Sequence, residues 1–193
     1  MPAESLPAET SPGAVVGAVL CGGASRRMGR DKALLPIDGV PMALVVAGVL
    51  RAAGCGSVVA IGGDSDALAA AGLTVIADEF PGDGPLGGVI TALAAHPQAA
   101  AVVIVACDLP RLQPQSVRAL LADLGDHEVA VATAGRVQPV CAAWRPAAAV
   151  TLRGMFEAGE RRMVAALGAL SQVTVPVDPQ DLTNVNTLGD LRE

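Results

Sequence analysis

The chain has 193 residues, 52% of them hydrophobic but only 2% aromatic, and a formal net charge of -6. That length suits one ordinary domain whose core needs no covalent staples. The negative balance argues against a nucleic-acid binder, which normally carries a basic face, although a local group of cations still serves a small anionic ligand.

Residues 1–12 mix Pro, Ala, Ser and Thr with Glu4 and Glu9 and lack the basic start and apolar run of a signal peptide. They are read as a disordered tail before a single domain over 13–193. The apolar stretches 13–25 and 39–50 are too short to cross a bilayer, which takes about 20 residues, so no membrane partner is expected. Short apolar runs at Val15–Leu20, Ser57–Ile61, 73–77, 102–106 and Val129–Thr133 predict buried strands. Between them, Pro41 opens a helix over 42–53, Pro85 one over 86–96 and Pro114 one over 115–124. The Ala-rich stretch 67–71 reads as helix interior. Beyond Thr133 come an extended segment, 138–144, helices around 147–158 and 161–170, a strand over 173–177 and a short terminal helix over 188–191, with room for one antiparallel strand. The alternation predicts an α/β fold with a mostly parallel sheet.

Four cysteines, Cys21, Cys55, Cys107 and Cys141, make no Cys-x-x-Cys pair, so neither a zinc site nor a disulfide framework is indicated. A reduced, cytoplasmic protein is expected. Cys21 has no histidine in an activating motif, since only His96 and His127 exist.

In an open parallel sheet, ligands bind outside the carboxyl ends of the strands. Leu20, Cys21, Gly22 and Gly23 follow the first predicted strand, Asp78 the third and Asp108 the fourth. Gly22 and Gly23 serve either a tight turn or the close approach of backbone amides to an anion. The turn is followed by Arg26, Arg27 and Lys32, the only lysine among 13 basic residues, which favours the anion. A lysine supplies a compact point charge where arginine supplies a planar fork. The loop is neither a Walker A sequence nor a Gly-x-Gly-x-x-Gly fingerprint. Asp108, straight after a buried run and before Leu109-Pro110, suits Mg2+ as a hard oxygen ligand or caps a turn. Asp78 either accepts from a base or ribose or sits in a solvated acidic turn; Asp83 reads as solvent-facing. Asn184 and Asn186 fall on one side of an extended segment, as ligand contacts or as the cap of the helix that follows. Arg161 and Arg162 offer a phosphate clamp or a charged face.

The run from Leu20 to Leu35, with Cys21-Gly22-Gly23-Ala24-Ser25-Arg26-Arg27-Met28-Gly29-Arg30-Asp31-Lys32 at its heart, resembles the signature loop of the molybdenum cofactor guanylyltransferases, the MobA-like nucleotidyltransferases. Gly84-Pro85-Leu86-Gly87-Gly88, Cys107-Asp108-Leu109-Pro110, Gln138-Pro139-Val140, Gly159-Glu160-Arg161-Arg162 and Asn184-Val185-Asn186-Thr187 are similar to that family's later motifs, in the same order. The resemblance spans roughly residues 14 to 193 and implies a Rossmann-like three-layer nucleotidyltransferase fold. It implies transfer of GMP from GTP to Mo-molybdopterin with release of pyrophosphate, and molybdoenzymes or their chaperones as candidates to receive the product. By the same resemblance the Leu20–Gly23 backbone holds the nucleotide, Lys32 its phosphates, Asp78 the nucleoside side and Asp108 the Mg2+. Lys32, Arg26 and Asp108 are then the catalytic set, and Asn184, Asn186, Arg161 and Arg162 the candidates for the pterin. Gly22-Gly23 resembles the guanine-selecting form of the loop, and Cys21 departs from the family's usual Ala. Transfer to another phosphorylated acceptor, use of CTP, and a non-catalytic GTP-sensing role are the competing readings.

Overall fold

The computed structural model describes residues 13–22, 31–186 and 190. The expected tail 1–12, Gly23, Arg26 and Arg27, and the expected terminal helix over 188–191 therefore fall wholly or largely outside the described residues.

In chain order the structure runs β1 (Val15–Leu20), a 3-10 turn (Lys32–Leu34), β2 (Pro36–Ile37), β3 (Val40–Pro41), α1 (Met42–Ala52), β4 (Ser57–Ile61), α2 (Ser65–Ala70) and β5 (Thr74–Ile76). It continues with α3 (Pro85–Ala95), β6 (Ala101–Ala106), α4 (Pro114–Asp123), β7 (Val129–Thr133), β8 (Val137–Trp144), α5 (Ala148–Glu157), α6 (Met163–Gly168), β9 (Gln172–Pro176) and a 3-10 turn (Pro179–Leu182). Seven strands form one sheet in the order β5-β4-β1-β6-β8-β7-β9. β8 runs antiparallel to both neighbours, and every other pairing is parallel.

Both faces of this sheet are covered, which is why its strands read as continuous apolar runs. Along β6 the two-residue period sends Ala101, Val103 and Val105 into one core layer with Val46 and Leu50 of α1 and Leu120 of α4. Val102 and Ile104 go to the opposite layer with Ile90 of α3, Leu152 of α5 and Trp144. The result is the three-layer α/β arrangement that the alternation of elements predicts.

Two differences from expectation have local causes. The helix expected over 161–170 begins only at Met163, because Arg161 and Arg162 are drawn back by Glu160, whose carboxylate accepts from both of their backbone N–H groups. The β2–β3 hairpin went unread. Its turn holds Asp38 at φ 49° and Gly39 at φ 82°, the left-handed pair that an Asp-Gly dipeptide accommodates in a two-residue hairpin loop.

The switch in strand order falls at β1, where β4, the next strand of this sheet in the chain, lies on one side while β6 lies on the other. A crevice opens there, outside the carboxyl ends of β1, β5 and β6. One wall is the loop from Asp78 to Gly84, which packs onto the first turn of α3 so closely that a Cβ on Gly87 would stand 2.7 Å from the Phe80 Cβ. Gly87→Ala is therefore expected to destabilise the protein by about 1–3 kcal/mol through overpacking. A urea midpoint matching wild type would show that Phe80 can yield at no cost.

Candidate functional site

A cleft of about 510 Å3 occupies this crevice, and Leu20, Cys21, Gly22, Lys32, Asp78 and Asp108 all line it. Six positions spread over 89 residues of sequence are thus gathered by the ends of three parallel strands and one 3-10 turn. Asn184 lines the same cleft, and Asn186 reaches its edge through Lys32.

Lys32 is set by local chemistry. Asp31 caps the 3-10 turn, one carboxylate oxygen accepting from Ala33 N at 3.0 Å and the other from Asp64 N at 2.9 Å, so the turn is pinned to the segment that follows β4. The Lys32 ammonium then donates to Asp108 Oδ2 at 2.8 Å and to Asn186 Oδ1 at 2.6 Å. Its side chain is 14% exposed and that of Asp108 20%, so this ion pair is held largely out of water, where an unpaired charge would cost several kcal/mol. The second carboxylate oxygen, Asp108 Oδ1, is buried and has no hydrogen-bond partner among the described residues. The segment bearing the asparagines is stitched to the same place, with Val185 N donating to the Asp108 carbonyl at 2.9 Å. Val185 is buried and so separates Asn184 from Asn186 by the two-residue period.

At the other end of the cleft, Asp78 Oδ1 accepts from Phe80 N at 3.0 Å and contacts the Thr91 hydroxyl at 3.2 Å. The first is the Asx-turn bond of an acidic turn, and the second ties the same carboxylate to α3.

The exit from β1 differs from the expectation of amides free for an anion. Cys21 N and Gly22 N both donate to Ile61 O, at 3.0 and 3.2 Å, and Leu20 O accepts from Cys107 N at 3.1 Å. The parallel ladder simply continues one step past the strands, and these amides are spent in it. Gly23 and Arg26 lie outside the described residues.

Arg161 and Arg162 are not among the residues lining the cleft. The Arg161 guanidinium lies 3.6 Å from the centroid of the Phe156 ring and donates to Phe156 O at 2.6 Å, capping the end of α5. It also reaches Asp83 at 3.6 Å. Arg162 pairs with Glu160 at 3.0 Å, and that hydrogen bond holds the Glu160 carboxyl down to about 2. Phe80 and Phe156, the only two phenylalanines of the chain, pack with centroids 4.5 Å apart and ring planes tilted by 46°, and Arg153 lies over Phe80 while pairing with Glu79 at 2.9 Å. Arg153 and Arg161 thus brace the 78–84 loop against α5 from outside the cleft.

Sequence reasoning passed over Asp31 and Thr91. Asp31 carried a signal, an Asp directly before a short helical turn; Thr91 carried none, being one more position on an apolar helix.

The four cysteines are free and buried. The Cys21 thiol hydrogen-bonds with Cys107 and is buried, and both effects push its pKa far above the ordinary thiol value, the opposite of what a nucleophile needs. Burial likewise pushes Cys55 and Cys141 up to about 12. An unfolded chain releases these protons near pH 9 while the folded one keeps them, so this contribution is whole below about pH 9 and is lost as pH climbs toward 12. The chain has no tyrosine and a single lysine, which leaves the thiols to dominate that window. The urea midpoint is expected to fall steadily from about pH 8.5 to 10.5; a flat profile would mean the thiols ionise as readily folded as unfolded.

A three-layer α/β arrangement with one lysine, the carboxylates of Asp31, Asp78 and Asp108 and a capacious cleft at the carboxyl edge of its sheet has the build of a ligand-binding α/β domain. The chain belongs to the family of the MobA-like NTP transferase domain, whose model matches residues 17–173. It is 36% identical over 183 residues to the molybdenum cofactor guanylyltransferase of Rhodobacter capsulatus, covering 92% of this chain and 93% of that one. It is 35% identical over 190 residues to a probable molybdenum cofactor guanylyltransferase of Chloroflexus aggregans, covering 91% of both. Among solved structures, the molybdopterin-guanine dinucleotide biosynthesis protein A of Archaeoglobus fulgidus superposes with a TM-score of 0.74 at 24% identity, over 92% of this chain and 95% of that one, a likeness of fold.

Proposed function

We propose that the protein transfers GMP from GTP to Mo-molybdopterin, forming the guanine dinucleotide cofactor and releasing pyrophosphate. The observation that carries the reading is the joining of Lys32 and Asp108 at one end of the cleft, with the held carboxylate of Asp78 at the other. A nucleoside triphosphate offers donors at one end and negative charge at the other, and the cleft presents the complement of each. The family and the named relatives support the choice of nucleotide and acceptor.

The donor set fits a Mg2+ ion. Asp108 Oδ1 is buried with acceptor capacity unspent among the described residues, and a hard cation held by one or two carboxylates and the substrate's phosphates suits such a site. When bound there, Mg2+ would neutralise phosphate charge as it develops. Lys32 neutralises the triphosphate as a point charge at the same end, joined in this reading by Arg26. Asp78 accepts from the nucleoside, and the wall made by Leu20, Cys21 and Gly22 shapes its seat; Gly23 joins them in this reading. The acceptor's terminal phosphate, largely dianionic near neutral pH with a second pKa of about 6, attacks the α-phosphorus as the bond to pyrophosphate breaks. No protein nucleophile is needed, in keeping with the protonated thiol of Cys21.

Asn184 and Asn186 are the better placed pterin candidates. Arg161 and Arg162 would first have to leave Phe156 and Glu160. Among the described residues no helix is long and apolar enough to cross a membrane, and four free cysteines suit the cytoplasmic placement expected from sequence.

Pyrophosphate release should be measured with Mg2+ and each of GTP, CTP, ATP and UTP, with and without molybdenum-loaded molybdopterin. Release that needs both GTP and the pterin is the expected result, and GTP binding without pterin-dependent release would overturn the acceptor assignment. Asp108→Ala is expected to cut turnover by a factor of at least about 100, whereas near-normal Mg2+-dependent activity would remove Asp108 from the site.

A further inference from the structure

Thr91 is a polar side chain buried by α3, only 2% exposed, on a helix whose other buried residues are Leu, Gly, Val, Ile and Ala. A hydroxyl in such a place must be hydrogen-bonded. The carbonyl of Gly87, one turn back, lies 2.9 Å away and would suffice for that, as it does for many helical threonines. Yet Thr91 Oγ1 also accepts from Glu79 N at 3.1 Å and lies 3.2 Å from Asp78 Oδ1. These two contacts add nothing to the helix; they act on the loop beyond it.

A hydroxyl has one proton, and a carboxylate is a stronger acceptor than a peptide carbonyl, so the proton goes to Asp78. Phe80 N donates to the same oxygen at 3.0 Å. Two donors on Oδ1, one from the helix and one from the loop's own backbone, fix the plane of the carboxylate. Oδ2 is then turned toward the cleft, 3.6 Å from where a Cβ on Gly22 would stand.

We infer that Thr91 is a positioning residue for nucleotide recognition, orienting Asp78 so that Oδ2 accepts from a nucleoside N–H or hydroxyl in the cleft. Thr91 does not line the cleft and acts only through Asp78. The identity of the ligand rests on the guanylyl-transfer reading.

The test is Thr91→Val, which keeps the shape and deletes the hydroxyl, beside Thr91→Ser, which keeps the hydroxyl. For T91V the KM and the equilibrium Kd for GTP are expected to rise about tenfold while kcat stays within about twofold, and T91S should match wild type. The T91V effect should also vanish when placed on Asp78→Asn, since an action routed through Asp78 has nothing left to orient. Unchanged affinity in T91V, a T91S variant as impaired as T91V, or an undiminished effect on the D78N background would each overturn the inference. Should T91V fail to fold, Thr91→Ala replaces it in the same series. Wild-type protein that binds no GTP would overturn the guanylyl-transfer reading itself, whereas wild-type binding with T91V unaltered removes only the role of Thr91.

Discussion

One ammonium group holds the site together. Lys32 Nζ is bound by Asp108 at the end of β6 and by Asn186 near the end of the chain, and its own turn is tied by Asp31 to the segment after β4. Two distant parts of the chain therefore share one charge, 76 and 154 residues from the lysine. Arginine would not take its place on equal terms: a planar fork spreads its charge and donors, while two oxygens at 2.8 and 2.6 Å from one nitrogen suit a compact ammonium. A chain that otherwise uses arginine throughout keeps its single lysine for this position.

The sheet makes that convergence possible. A parallel ladder delivers every strand's carboxyl end to the same edge, so residues one or two places past β1, β5 and β6 meet without any long-range design beyond the strand order. The opposite wall needs separate support, because the 78–84 loop is irregular. Thr91 holds its start, the close packing at Gly87 brings it down on α3, and the tilted pair of Phe80 and Phe156, flanked by Arg153 and Arg161, braces its outer side. In a chain with only three aromatic side chains, the placing of two of them here shows how much of the available aromatic packing this loop receives.

Much of this was legible in the sequence, for physical reasons that also explain the rest. Strands buried on both faces show as unbroken apolar runs, and prolines at helix starts show where those runs end, so the α/β layers could be read directly. Asp78 and Asp108 stood out because polar residues after such runs fall on the ligand edge. The hairpin at Asp38-Gly39 was available as a dipeptide but lay beside a helix start that absorbed the neighbouring apolar residues. The Lys32–Asn186 contact has no local pattern at all, because it depends on where two distant loops stop. For Arg161 the sequence offered a phosphate clamp or a charged face and could not choose, and only the packing reveals that its guanidinium lies over the Phe156 ring.

The pairing of Lys32 with Asp108 also sets how the resting site meets an anion. Two largely desolvated charges that neutralise each other are tolerated, but a phosphate that competes for the ammonium leaves the carboxylate short of a cation. Asp108 already holds one oxygen buried and unpartnered among the described residues, so the cost of that loss is concentrated on a group able to accept a replacement positive charge. On the proposed function, binding of a triphosphate and binding of a divalent cation would thereby be coupled, each relieving the imbalance the other creates. On the proposed function, the same argument explains how an acidic chain would handle polyphosphate. Its cation, held by Asp108, would then be released by exchange rather than offered to solvent, at the edge of the sheet where Asp108 Oδ1 has acceptor capacity unspent among the described residues.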